Sequence, residues 1–218
     1  MKLFIDSGNL RDIEALVPLG IIDGVTTNPS LMAKEGGDPR AIIKRICEVV
    51  KGPVSAEVVA TDWEGMVAEG RDLAAIDEHV VVKVPLTRDG IRATKVLSDE
   101  GHRVNVTLVF SPAQALLAAK AGAAYVSPFV GRLDDIATDG MDLIRQIVEI
   151  FDAHEFATEI LVASVRHPIH IVEAARLGAD VCTCPTKVID ACFNHPLTDI
   201  GLAKFLQDWE KAQAARKG

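Results

Sequence analysis

Val80-Val81-Val82-Lys83-Val84-Pro85 is a short run of valines broken by one lysine and closed by a proline. Such a run reads as an apolar strand. An ammonium group inside it is costly unless it is paired or neutralised. Working outward in both directions, similar runs recur and each is followed by a segment with helical spacing. The pattern predicts strands over Lys2–Asp6, Gly24–Thr26, Val54–Val58, Val80–Val84, Arg103–Thr107, Tyr125–Ser127, Glu159–Ala163 and Asp180–Thr183. Between them, sets such as Ile42, Ile43, Ile46, Val49 and Val50 repeat at helical spacing. Asp38-Pro39 and Ser111-Pro112 put a capping residue before a proline that suits the first helical position. Gly122 and Gly178 suit helix ends that turn into strands.

Eight strands alternating with helices, without a linker or low-complexity stretch, predict an α/β fold: a single (β/α)8 barrel over residues 1–218, with short connections. A doubly wound open sheet is the rival, because alternation does not decide closure. No G-x-G-x-x-G or P-loop follows any strand, which weakens its nucleotide-binding form. After the last strand, Asn194-His195-Pro196-Leu197-Thr198 interrupts the pattern, and a further helix is expected over about Thr198–Ala215. It carries Ile200, Leu202, Ala203, Phe205, Leu206 and Trp209, and either folds back on its own barrel or docks on a neighbouring subunit.

With 23 Lys+Arg against 31 Asp+Glu in 218 residues, the net charge of −8 lacks the basic footprint of a nucleic-acid or anionic-membrane binder. No apolar run approaches the roughly 18 residues that span a bilayer. Asp6 comes too early for a secretory leader, so a cytoplasmic protein is expected. Cys47 lies in a helical pattern, and Cys182, Cys184 and Cys192 lack the paired spacing of a zinc site, which His195 does not complete. Buried or half-buried free thiols are expected.

In a barrel, alternate strand residues point inward and are ordinarily branched aliphatics. Here polar residues stand near the C-terminal ends of several strands: Asp6, Thr26 leading into Thr27-Asn28, Glu57, Lys83, Asn105 with Thr107, and Ser164 with Arg166 beyond it. Each alone has a plain explanation, such as Asp6 capping a helix, Asn28 stabilising a turn, or Arg166 in a surface ion pair. Lys83 has few structural uses in a dry strand. A desolvated lysine can lose its proton, attack a carbonyl and form a Schiff base, whose iminium then draws electrons from an adjacent C–C bond. Proton shuttling needs a carboxylate and a water-holding group, for which Asp6, Glu57 and Thr107 are candidates. Arg132 and Arg166, with the Ser164 hydroxyl, make a candidate phosphate clamp on late strands.

The order of these motifs resembles the short-chain branch of the transaldolase family, which also holds the fructose-6-phosphate aldolases. The resemblance covers nearly the whole chain, through Phe4-Ile5-Asp6-Ser7, Gly24-Val25-Thr26-Thr27-Asn28-Pro29-Ser30, Ser55-Ala56-Glu57-Val58, Val82-Lys83-Val84-Pro85, Asn105-Val106-Thr107-Leu108, Ser127-Pro128-Phe129-Val130-Gly131-Arg132-Leu133-Asp134-Asp135 and Ala163-Ser164-Val165-Arg166. It implies that Lys83 is the Schiff-base lysine and Asp6 the acid/base at the sugar C4 hydroxyl. Glu57 and Thr107 would hold the catalytic water. Asn28 and Asn105 would bond substrate hydroxyls and the carbinolamine, with Ser127 beside them. Arg132, Ser164 and Arg166 would hold the phosphate of a sugar phosphate. No cofactor or metal is implied. Glu57 and Phe129 resemble the transferases, where the aldolases carry glutamine and tyrosine. A tyrosine hydroxyl at 129 would help release the dihydroxyacetone adduct to water, whereas phenylalanine leaves it waiting for an aldehyde. The short members are also similar in forming pentamers or decamers that seat the C-terminal helix on a neighbour.

The implied reaction is transfer of a dihydroxyacetone unit from fructose 6-phosphate or sedoheptulose 7-phosphate to an aldose phosphate, in the non-oxidative pentose phosphate route. The alternatives are an aldolase releasing free dihydroxyacetone and a non-catalytic sugar-phosphate-binding barrel. Asp6, Glu57, Lys83 and Thr107 together argue against the last.

Overall fold

The caps written in the sequence start the helices. Asp38 accepts from the Arg40 amide and Ser111 from the Gln114 amide, each just before a proline. Asn28 does the same for Leu31. Gly178 ends its helix in the left-handed conformation, at φ 89°. The computed structural model describes residues 1–217. Its elements alternate: β1 Lys2–Asp6, α1 Leu10–Leu16, β2 Gly24–Thr26, α2 Pro29–Glu35, α3 Pro39–Val50, β3 Val54–Glu57, α4 Trp63–Ala74, β4 Val80–Pro85, α5 Arg88–Asp99 and β5 Val104–Val109. The second half continues with α6 Pro112–Lys120, β6 Tyr125–Pro128, α7 Val130–Asp134, α8 Gly140–Ala153, β7 Glu159–Val162, α9 Pro168–Leu177, β8 Val181–Cys184, α10 Thr186–Ala191 and α11 Pro196–Lys217.

All eight strands are parallel, and β8 pairs back onto β1, so the sheet is a closed barrel rather than an open doubly wound sheet. Strand periodicity sorts the side chains into two cores. Outward residues such as Ile5, Val25, Val54, Val82, Val84, Val104, Val126, Ile160 and Cys182 pack with the helices. Inward residues Phe4, Val81, Tyr125, Leu161 and Val181 form the floor of the barrel. Gly24 makes room for that floor, since a Cβ there would stand 2.7 Å from the Phe4 ring. Each fully buried aliphatic in these layers contributes about 1.5–3 kcal/mol.

Two residues beyond the floor, on the same face, each strand presents its next inward side chain. These are Asp6 above Phe4, Lys83 above Val81, Ser127 above Tyr125 and Thr183 above Val181. The barrel is therefore apolar below and polar at the C-terminal ends of its strands.

Several boundaries differ from the sequence expectations. β5 runs on to Val109, past a register shift against β6, because Leu108 adopts φ 59° and kinks the strand. α11 begins at Pro196 rather than Thr198, with the His195 Nδ1 accepting from the Leu197 amide. Cys47, Cys182 and Cys184 are buried free thiols, but Cys192 is exposed, against expectation, because it lies at the open end of α10. Among the described residues, no helix is long and apolar enough to cross a membrane.

Candidate active site

Register brings the strand candidates together. Glu57 on β3 pairs with Lys83 on β4, and Lys83 pairs with Asn105 on β5, so three polar side chains stand in one row. Asp6 on β1 pairs with Thr26 on β2 in the same polar layer. Above them opens a cavity of about 230 Å³ lined by Asp6, Asn28, Lys83, Thr107, Ser127, Phe129, Arg132, Ser164 and Arg166. Of the sequence candidates, Asn105 lies buried beneath this cavity, and Glu57 faces an adjoining recess shared with Lys83 and Thr107.

Lys83 is buried, with its Nζ 3.0 Å from Glu57 Oε2 and donating to the Thr27 carbonyl at 3.0 Å. The amine thus lies away from bulk solvent, with a carboxylate from the neighbouring strand within reach. At that distance the Glu57 carboxyl can exchange a proton with the amine. A buried ion pair is weak evidence for stability, since desolvation offsets much of the attraction.

Asp6 does not cap α1; Asn9 does, by accepting from the Asp12 amide. Instead Asp6 Oδ1 accepts from Thr26 Oγ1 at 2.8 Å, and the Thr26 and Thr183 hydroxyls lie 2.7 Å apart. Thr26 has one hydroxyl proton, so Thr183 donates to Thr26 and Thr26 to Asp6. Burial pushes the Asp6 carboxyl up from its ordinary value, against the opposing pull of the Thr26 hydrogen bond and then of Lys83.

A second chain crosses the floor of the site. Ser127 Oγ donates to Asn105 Oδ1 at 2.7 Å, and Asn105 Nδ2 donates to Ser55 Oγ at 3.1 Å. These bonds fix the Asn105 amide between two strands. Thr107 differs: its buried Oγ1 has no hydrogen-bond partner in the protein, alone among the buried side-chain polar atoms of the described residues. Its donor and acceptor are free for a bound molecule. Asn28 Oδ1 is occupied by the α2 cap at 2.9 Å, which leaves its Nδ2 to face the cavity.

The opposite wall is cationic. Arg132 lies 5.5 Å from the Phe129 ring, which in turn packs edge-on against Phe110. Arg166 Nη2 donates to Asp135 Oδ2 at 2.9 Å, an exposed pair. Such pairs are worth about 0–1 kcal/mol, little enough for an incoming anion to displace. Ser164, between β7 and Arg166, holds φ 61°, a left-handed conformation that costs a non-glycine residue about 1–2 kcal/mol. Among the described residues, no group of three or more His, Cys, Asp and Glu is arranged to hold a metal ion.

Sequence reading noted Thr26 only as a polar strand end and missed its positioning role, as it missed those of Ser55, Thr183 and the Thr27 carbonyl. Hydroxyls on the inward phase of three strands were the available signal. Thr183 and Thr26 carry it most clearly, each two residues past an inward floor position.

A family model described as Transaldolase/Fructose-6-phosphate aldolase matches residues 3–216. A protein named probable transaldolase from Syntrophobacter fumaroxidans is 60% identical over 220 residues, covering 99% of this chain and 100% of that protein. One of the same name from Methanococcus maripaludis is 60% identical, covering 96% of this chain and 98% of the relative. Another, from Anaeromyxobacter sp., is 59% identical with 100% of both chains covered.

Proposed function

The chain belongs to the transaldolase/fructose-6-phosphate aldolase family, and from that premise we propose that it moves a dihydroxyacetone unit between sugar phosphates through a Schiff base on Lys83. The observation that carries this is the buried Lys83 amine beside Glu57, facing a cavity with Asp6 on one side and two arginines on the other.

The steps follow from those positions. With the phosphate of fructose 6-phosphate or sedoheptulose 7-phosphate on Arg132, Ser164 and Arg166, the ketone reaches down to Lys83. Glu57 takes a proton from the ammonium, and the freed amine adds to C2. A water held by Glu57 and the unpaired Thr107 hydroxyl relays the proton that lets the carbinolamine lose water. The product is an iminium on Nζ. The Asp6 carboxylate then takes the C4 hydroxyl proton. The C3–C4 bond breaks, its electron pair passes into the iminium to give an enamine, and an aldose phosphate leaves. Adding a second aldose phosphate reverses these steps, with Asp6 returning the proton, and hydrolysis frees the new ketose. Asn28 Nδ2 and the fixed Asn105–Ser127 pair bond the hydroxyls during the exchange. The reaction belongs in the non-oxidative pentose phosphate route, and the three buried free thiols suit a reducing cytoplasm.

Release of free dihydroxyacetone is the alternative within the family. Phe129 favours transfer, because its ring offers no hydroxyl to protonate the enamine. Cleavage of fructose 6-phosphate is therefore expected to depend on an added acceptor such as erythrose 4-phosphate, and Phe129→Tyr to raise acceptor-independent cleavage several-fold. Equal rates with and without acceptor would overturn the transferase reading, and unchanged kinetics in the variant would remove the role given to the ring.

The chain also acts as a homo-oligomer, a pentamer or decamer. The support is α11, on which Leu197, Ile200, Leu202, Phe205, Leu206 and Trp209 are all more than half exposed. Leu202, Phe205, Leu206 and Trp209 share one helical stripe. Trp209→Glu is expected to shift sedimentation toward smaller species; a parent chain that sediments as a monomer would refute the assembly.

A further inference from the structure

Arg132 and Arg166 reach the cavity from two different segments. Arg132 rides on α7, and Arg166 on the turn between β7 and α9, so their spacing depends on what joins those segments. Part of the join is backbone: the Val130 amide donates to Ala163 O and the Gly131 amide to Ser164 O, both at 3.1 Å. Gly131 permits that approach, since a Cβ there would stand 2.2 Å from Ser164 O and 2.5 Å from Arg166 Nε.

The other part is a side chain. His170, buried in the first turn of α9, accepts from the Arg166 amide through Nδ1 at 3.2 Å. Its Nε2 lies 2.9 Å from Asp134 Oδ2, on the same short helix as Arg132. Asp134 Oδ1 is held in turn by the Gly140 amide at 2.9 Å. A ring nitrogen that accepts carries no proton, so the imidazole is the neutral Nε2–H tautomer, donating to Asp134.

We infer that His170 is a positioning residue of the anion clamp, its neutral Nε2–H tautomer tying the Arg166 turn to the Arg132 helix, so that protonation of the ring releases the Arg166 end. This rests on the reading that Arg132 and Arg166 hold the substrate phosphate. His170 does not line the cavity and does not touch substrate. The charged and titratable groups facing it are Asp134 from α7, Arg166 from the turn, and His167, whose ring lies tilted with its centroid 3.9 Å away. Burial, then His167, hold His170 below the ordinary histidine range, while Asp134 pulls the other way. The tie therefore persists into mild acid.

The test is the ratio of kcat/KM for fructose 6-phosphate to that for fructose, each with the same acceptor. His170→Leu breaks both bonds and is expected to lower this ratio roughly tenfold, the effect of losing one buried tie. His170→Asn, whose oxygen falls near the place of Nδ1 while its amide nitrogen falls short of Asp134, keeps only the Arg166 bond and is expected to lower the ratio less than His170→Leu does. Acidification is expected to raise the KM for fructose 6-phosphate more in the parent than in His170→Asn, which keeps the titrations of Asp6 and of the phosphate (near about pH 6) but lacks the ring's. An unchanged ratio in His170→Leu, or equal losses on both ketoses, would overturn the inference. Should the leucine variant not fold, nitrogen NMR of the parent decides: a protonated Nδ1 at neutral pH sinks the tie. Arg166→Ala separates the two levels. If it leaves the ratio intact, the clamp reading fails and the tie with it; if it collapses the ratio while His170→Leu does not, only the tie fails.

Discussion

Lys83→Met is expected to lower kcat/KM for transfer by roughly 10⁴-fold or more, because the variant keeps the shape of the site and loses its only route to a covalent intermediate. Borohydride added with fructose 6-phosphate is expected to fix a reduced ketose adduct on the Lys83 peptide of the parent and on no peptide of the variant. Methionine is a fair replacement in volume and flexibility. It strands Glu57, however, whose carboxylate then faces the site without the ammonium 3.0 Å away. Breaking a buried pair from one side costs about 3–5 kcal/mol, so some of the lost activity could be lost fold. Lys83→Met with Glu57→Gln removes that charge. The double variant is expected to recover thermal stability toward the parent while staying as inactive as the single one. Transfer above a hundredth of the parent rate in a folded Lys83→Met protein, or a parent adduct on another lysine, would end the Schiff-base assignment.

Lys83 and Glu57 were each legible from the sequence, because a charge in an apolar strand needs a reason. Their pairing was not legible. It follows from the β3–β4 register, which sets Glu57 opposite Lys83, and no local pattern states a register between parallel strands. The barrel itself was readable from strand-helix alternation, and closure came from β8 meeting β1. The end of β5 was missed because its bulge rests on a left-handed Leu108, and left-handed backbone is ordinarily signalled by glycine or asparagine. The start of α11 was displaced because a histidine, rather than an ordinary cap residue, meets its first amides. The positioning roles of Ser55, Thr26 and Thr183 escaped for a different reason. A hydroxyl in a strand costs little, so only its neighbours across the sheet reveal what it holds. Thr27 acts through its backbone carbonyl, which any residue would supply.

Asp6 gives the site a pH dependence whose sign is fixed by its surroundings. Burial raises its folded-state pKa, and the Thr26 hydrogen bond and Lys83 only partly offset that. The carboxylate form is the one that takes the C4 hydroxyl proton, so the acid limb of kcat/KM is expected above the ordinary aspartate range. Thr26→Val keeps the volume but removes the donor on Asp6 Oδ1, and the limb is expected to move to still higher pH. The substrate phosphate titrates alike in both proteins, so the displacement between them reports Asp6 alone. Stability carries the same sign. A group with a raised folded pKa contributes stability that is present below its unfolded value and lost as pH rises through the folded one. At neutral pH the Asp6 carboxylate is therefore a net cost to folding. Asp6→Asn, expected to lower kcat/KM by about 10²–10⁴-fold, is also expected to melt no lower than the parent at neutral pH. That advantage should shrink on acidification, as the parent regains its proton and its hydrogen-bonded neutral carboxyl. An acid limb at the ordinary aspartate value that Thr26→Val does not move, together with an Asn variant that melts well below the parent, would show that burial is not what sets the state of this carboxyl. The retro-aldol base would then have to be sought elsewhere in the cavity.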